Sequence, residues 1–105
     1  MSILIADSGS TKTDWVLLDN QTVILKHQTI GFNPYFQSSE TIFNELKNVL
    51  LPVLHDELTR ISCIYYYGAG CSNEDKKNVV AQGLALAFPE IKTEVNHDLL
   101  AAARA

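Results

Sequence analysis

The sequence predicts an α/β domain: a five-stranded mixed sheet built in the order β-β-β-α-β-α-β-α. Three observations lead there. Three short strand-like runs follow one another within the first 29 residues, separated only by turn residues, as in an antiparallel meander. After Gly31-Phe32-Asn33-Pro34 the apolar spacing becomes that of a helix. From there strand-like and helical runs alternate, the pattern of right-handed crossovers between parallel strands.

Taken in order, Ile3 to Ala6 is a continuous apolar run suited to a strand buried on both faces. Trp15 to Leu18 is the second strand, and Thr22 to Thr29 the third, beyond the turn Asp19-Asn20-Gln21. Ile42, Phe43, Leu46, Val49 and Leu50 share one helical face, with Ser38 or Ser39 as N-cap and Glu40 in the first turn. That helix starts near residue 39, and Pro52 is expected to end or kink it. Ile61 to Tyr67 is dense in β-branched and aromatic residues and stops at Gly68-Ala69-Gly70, as a central strand would. Ser72 or Asn73 then caps a helix whose inner face carries Val79, Val80, Leu84, Ala87 and Phe88 and which Pro89 closes. A fifth strand, Lys92 to Asn96, precedes His97-Asp98 and the helix-favouring run LLAAARA. No stop signal follows that run, so residues 1–105 are expected to be one domain of a longer, two-domain protein.

Composition narrows the function classes. With 105 residues, 47% hydrophobic and 19% charged, the chain forms a single globular domain that buries a little over half of its unfolded surface. A formal charge of −4 and a pI near 5.2 offer no basic stripe for nucleic acid. No apolar run approaches the roughly 20 residues of a membrane span, and Met1-Ser2 leads into the first strand without a charged leader, so a cytoplasmic protein is expected. Cys63 and Cys71 read as buried, reduced thiols rather than a metal pair or a disulfide.

The chemistry gathers where strands end. Asp7, Gly68 to Gly70 and Asp98 are placed just past the carboxyl ends of the first, fourth and fifth strands, the edge at which open α/β sheets bind ligands. Two carboxylates there, one beside the hydroxyl-rich turn SGSTKT, suggest the handling of a metal and a phosphate. A P-loop does not fit: with Lys12-Thr13 in register, Ala6 and Thr11 occupy the glycine positions and a strand follows where a helix belongs. A dinucleotide fingerprint lacks its third glycine. Plainer roles stand beside these. Asp7 could initiate a turn by bonding backbone amides, Asp98 could cap a helix, Lys12 could be a solvated turn lysine, and the Tyr65-Tyr66-Tyr67 stripe reads as strand packing. His27, His55 and His97 lack partners at metal spacing.

ADSGSTKTDW resembles the first phosphate motif of the actin-like ATPase superfamily, whose core is a ribonuclease-H-like domain. Within it, the ordered set DSGSTKT, GFNP, YYGAG and VNHD most resembles the BadF/BadG-type ATPase and N-acetylglucosamine kinase family, and it spans essentially the whole chain. The resemblance implies ATP and Mg²⁺ as cofactors, with Asp7 ordering the metal and its waters. It implies a phosphate cradle from Gly9, Ser10, Thr11, Lys12 and Thr13, in which Gly9 and Thr11 bring the hairpin close to the β- and γ-phosphates. It places Asn33 and Gly70 on the sugar side and makes Asp98 the general base on the attacking hydroxyl. Ser8 stands where many relatives have glycine.

The implied activity is phosphorylation of an amino sugar such as N-acetylglucosamine by the full-length protein, with a small-molecule sugar and the protein's own C-terminal domain as partners, no nucleic acid or membrane, and a homodimer compatible. The isolated region is expected to be inactive, since a second phosphate loop and the adenosine segment would lie beyond Ala105. The alternative is an ATPase activator that drives a partner enzyme, as the 2-hydroxyacyl-CoA dehydratase activators do. A two-metal nuclease would need more acidic residues than Glu94 supplies, and a non-catalytic interaction domain leaves the hairpin unexplained.

Overall fold

The pleat of the first strand decides which side chains can reach a ligand. In the computed structural model, which describes residues 1–9, 11–68, 71 and 73–96, β1 spans Ser2–Ser8 and buries Leu4, Ala6 and Ser8 on one face. Ile3 and Ile5 are half-buried on the other face, and Asp7 is exposed there. The strand therefore runs two residues past the expected Ala6. Asp7 lies inside it, not beyond its end, and the alternation of the strand sets its direction.

β2 (Lys12–Asp19) and β3 (Thr22–Ile30) complete an antiparallel meander with β1, and β4 (Ile61–Gly68) and β5 (Lys92–Asn96) add in parallel on the other side, giving the order β3-β2-β1-β4-β5. All five expected strands are present, with the second and third longer at both or one end than the apolar runs alone. Asn20 (φ 50°) and Gln21 (φ 70°) make the β2–β3 turn, a pair of left-handed residues whose twist matches that of the strands they join. The register puts Asp7 between Asp14 on β2 and Tyr67 on β4, with Asn96 of β5 beside Tyr67.

Two helical segments cover the Leu4 face. α1 (Ser39–Glu45) starts where expected, with the Ser38 hydroxyl accepting from the Thr41 N–H. The regular α-helix gives way before Pro52, α1 having ended at Glu45. A π-helical turn, Leu46–Leu50, comes first, and the Leu51 N–H bonds the Leu46 carbonyl five residues back. The widened turn makes room for the proline ring, and Pro52 sits at the start of α2 (Leu51–Leu54), where its missing N–H costs nothing. A 3₁₀ helix, His55–Arg60, then leads into β4. Leu46, Leu50 and Leu54 are fully buried along this path.

α3 (Glu74–Ala87) is capped by Asn73, whose side chain accepts from Lys76 N–H, and ends before Pro89. Val80, Leu84, Ala87 and Phe88 are buried as expected, Val79 only in part, and Gly83 joins them because α1 crosses there. A β-carbon on Gly83 would meet Ile42 Cγ2 at 2.8 Å and the Ser39 carbonyl at 3.1 Å, while Ser39 Oγ donates to the Val79 carbonyl at 2.6 Å. Trp15, Tyr66, Phe88, Leu4, Leu17, Ile42 and Ile64 fill the space between helices and sheet, each fully buried large side chain contributing about 1.5–3 kcal/mol. Both cysteines are free and buried, as expected. The helix expected after Asp98 lies outside the described residues.

Candidate functional site

Asp7 projects from the face of the sheet opposite the described helices, and its carboxylate makes no hydrogen bond or ion pair among the described residues. The turn-initiating role that the sequence left open for it is therefore not the one the fold uses. Across the strand pair it faces Asp14, whose Oδ1 accepts from Gln28 Nε2 at 2.8 Å. Two carboxylates opposed in this way repel each other unless a cation comes between or beside them.

Next to Asp7 the hairpin closes tightly. The Gly9 N–H donates to the Lys12 carbonyl at 2.9 Å, and Gly9, Thr11 and Lys12 are exposed. Gly9 has no positive φ, and a β-carbon there would meet only the Lys12 carbonyl at 3.7 Å. The fold itself thus makes no demand for glycine at position 9. Ser10 lies outside the described residues. Thr13 was grouped with the phosphate cradle, but its side chain turns inward: it is fully buried, 2.8 Å from Ser8 Oγ, and its hydroxyl donates to the Ile30 carbonyl at 2.9 Å. It braces the hairpin from beneath.

The same buried hydroxyls hold the GFNP loop. The Phe32 N–H donates to Ser8 Oγ at 3.1 Å, which places Asn33 one residue from a direct bond to the hairpin. Asn33 Oδ1 accepts from the Tyr35 N–H at 3.0 Å and the Asn33 carbonyl accepts from the N–H groups of Phe36 and Gln37. Its Nδ2 donor has no partner among the described residues. Beneath the loop, Phe32 stacks on Tyr66 with ring centroids 6.5 Å apart, and Trp15 tilts against the same ring at 6.3 Å. Trp15 Nε1 donates to Thr29 Oγ1 at 2.9 Å. Burial pushes the Tyr66 phenol well above its ordinary range, and its buried hydroxyl has no hydrogen-bond partner among the described residues.

These features were compared with known proteins. No protein-family model and no curated protein matches the chain. A solved structure described as a "putative N-acetylglucosamine kinase" from Porphyromonas gingivalis matches 97% of the chain at 38% sequence identity, with a TM-score of 0.87. Over almost its whole length this chain is similar to that protein. It spans 36% of that structure's length. Two weaker likenesses have TM-scores of 0.45 and 0.49. They are YeaZ from Pseudomonas aeruginosa, 18% identical over 90% of this chain and 42% of its own, and the PPX-GPPA enzyme of Aquifex aeolicus, 9% identical over 90% and 36%.

The fold brings Asp7, the β1–β2 hairpin and the Asn33 loop to one end of the sheet. Gly70 and Asp98 lie outside the described residues. β4 and β5 nevertheless end at Gly68 and Asn96, in register with Ser8 and Tyr67, so the chain leaves both strands at the same edge as Asp7. Gly68 is required by close approach: a β-carbon would sit 2.8 Å from Tyr66 Cε1. A cavity of about 290 Å³, lined by Leu58, Ile61, Phe88 and Ile91 among others, opens at the amino end of β4, away from these residues. Sequence reasoning noticed Ser8 only as a departure from glycine and missed that it ties two loops together. The one available signal was the serine itself, a hydroxyl at the end of a strand face that reads Ser2, Leu4, Ala6 before it.

Proposed function

We propose that this chain is the N-terminal domain of an ATP-dependent kinase that phosphorylates an amino sugar such as N-acetylglucosamine, and that the isolated domain is inactive. The observation that carries the reading is the exposed, unpartnered Asp7 carboxylate beside a tight hairpin to which the Asn33 loop is bonded through Ser8. The likeness to the Porphyromonas gingivalis protein supports a kinase-type activity.

The residues present fit Mg²⁺ and a nucleotide phosphate. Mg²⁺ is held by one or two carboxylates, with waters and phosphate oxygens completing its shell. Asp7, with Asp14 across the strand pair, suits that pattern, and no cluster of three or more metal-ligating side chains occurs among the described residues. Bound Mg²⁺–ATP supplies the γ-phosphoryl group and offsets its charge. In this reading Asp7 orders the metal's waters, and Gly9, Ser10, Thr11 and Lys12 cradle phosphate oxygens at the exposed tip. The Nδ2 of Asn33 donates to a sugar hydroxyl, Gly70 borders the sugar, and Asp98 takes the proton of the attacking hydroxyl.

The test is ADP release by the full-length protein with and without N-acetylglucosamine. Sugar-stimulated release is expected, with Asp98→Asn lowering turnover about 10²–10⁴-fold. No sugar stimulation, or an unchanged rate in Asp98→Asn, would defeat the reading, and sugar-independent ATP turnover would favour an activator ATPase.

A further inference from the structure

We propose that Ser8 is a positioning residue: through a directional chain of buried hydrogen bonds it locks the Asn33 loop to the phosphate hairpin, so that sugar placement depends on the hairpin beneath it. The inference rests on the kinase reading and deepens it.

The direction of the chain follows from counting protons. A threonine hydroxyl has one proton to give. Thr13 gives its proton to the Ile30 carbonyl at 2.9 Å, so in its 2.8 Å contact with Ser8 it must accept. Ser8 is then the donor to Thr13, and its oxygen accepts from the Phe32 N–H at 3.1 Å. The run is Phe32 N–H to Ser8, Ser8 O–H to Thr13, Thr13 O–H to the Ile30 carbonyl. It starts and ends on either side of Gly31, clamping the exit of β3 and the entry of the Asn33 loop onto β1 and β2. Ser8 is 4% exposed and Thr13 fully buried, so no water stands ready to replace a missing link. Glycine or alanine at position 8 removes both the acceptor for Phe32 and the donor to Thr13. Asp7, one residue earlier, points to the opposite face and loses nothing directly. Phosphate handling and sugar placement can therefore be separated by substitution at this position, and a small shift of a reacting group has a large kinetic effect.

The experiment measures the KM for N-acetylglucosamine and for ATP in full-length wild type, Ser8→Ala, Thr13→Val, the double variant and Thr13→Ser. The expected result is a rise of about tenfold or more in the sugar KM for Ser8→Ala and for Thr13→Val, with the ATP KM within about threefold of wild type. The double variant is expected to be no worse than the poorer single, because one broken link opens the whole chain. Thr13→Ser, which keeps the hydroxyl, is expected to hold the sugar KM within about threefold of wild type. Equal changes in both KM values, multiplicative effects in the double variant, or a serine at 13 behaving like valine overturn the proposal while leaving the kinase reading intact. Should Ser8→Ala not fold, the Thr13 pair reads the same chain. A wild type without sugar-stimulated turnover overturns both.

Discussion

Asp7 and Ser8 are adjacent, yet one is exposed and the other is buried, because successive residues of a strand point to opposite faces. Asp7 was legible in the sequence: a carboxylate at the end of an apolar run, before a hydroxyl-rich turn, has few plain explanations. Ser8 was not legible, since its acceptor role depends on Phe32, 24 residues away. Thr13 shows the same limit, its hydroxyl being drawn inward by Ile30 rather than presented at the tip. A different residue carries local strain. Gln21 holds φ 70° in the β2–β3 turn, a conformation in which a side chain is penalised and glycine is not. Gln21→Gly is expected to raise stability by about 0.5–1 kcal/mol, read as a higher thermal midpoint. A lower midpoint would show that the turn does not behave as its backbone angles imply.

At the scale of elements, α1 and α3 pack closely enough that one glycine sets their separation. Gly83→Ala gains about 1 kcal/mol of helix propensity. It must also place a methyl 2.8 Å from Ile42 Cγ2 and 2.9 Å from Ile42 Cβ, overpacking worth about 1–3 kcal/mol. Net destabilisation in urea is expected, and a variant more stable than wild type would mean that the two helices slide apart at no cost. Periodicity located both helices and their caps, since Ser38 and Asn73 act locally within one turn. It expected Pro52 to end or kink the helix, and the regular α-helix does give way before it, but by a π-helical turn that changes the hydrogen-bond partner from four to five residues back. That turn is shaped by burying Leu46, Leu50 and Leu54 against the sheet, a tertiary demand that no local spacing records.

Across the whole molecule, burial governs how stability responds to alkali. Burial pushes the Cys71 thiol up from 9.0 to about 11, with Lys77 drawing it slightly back, and burial raises the Tyr66 phenol as well. Between pH 9 and 11 the unfolded chain loses protons that the folded chain keeps, so the contribution of these groups to stability is constant below about pH 9 and falls as pH climbs through that window. The urea midpoint is expected to drop from pH 8 to pH 10.5, and to drop less in Cys71→Ala; a flat profile in wild type would rule out burial of the two groups as the cause. What the residues alone determined was the order of the described elements, the family resemblance and the exposed hairpin with its carboxylate, because each rests on short-range spacing, turn chemistry or a contiguous motif. Tertiary structure decided which hydroxyls are exposed and which are buried, how the chain passes Pro52, and that the hairpin and the Asn33 loop are bonded to each other. Those outcomes depend on contacts between residues distant along the chain, and only the packed sheet and its register bring such residues within hydrogen-bond reach.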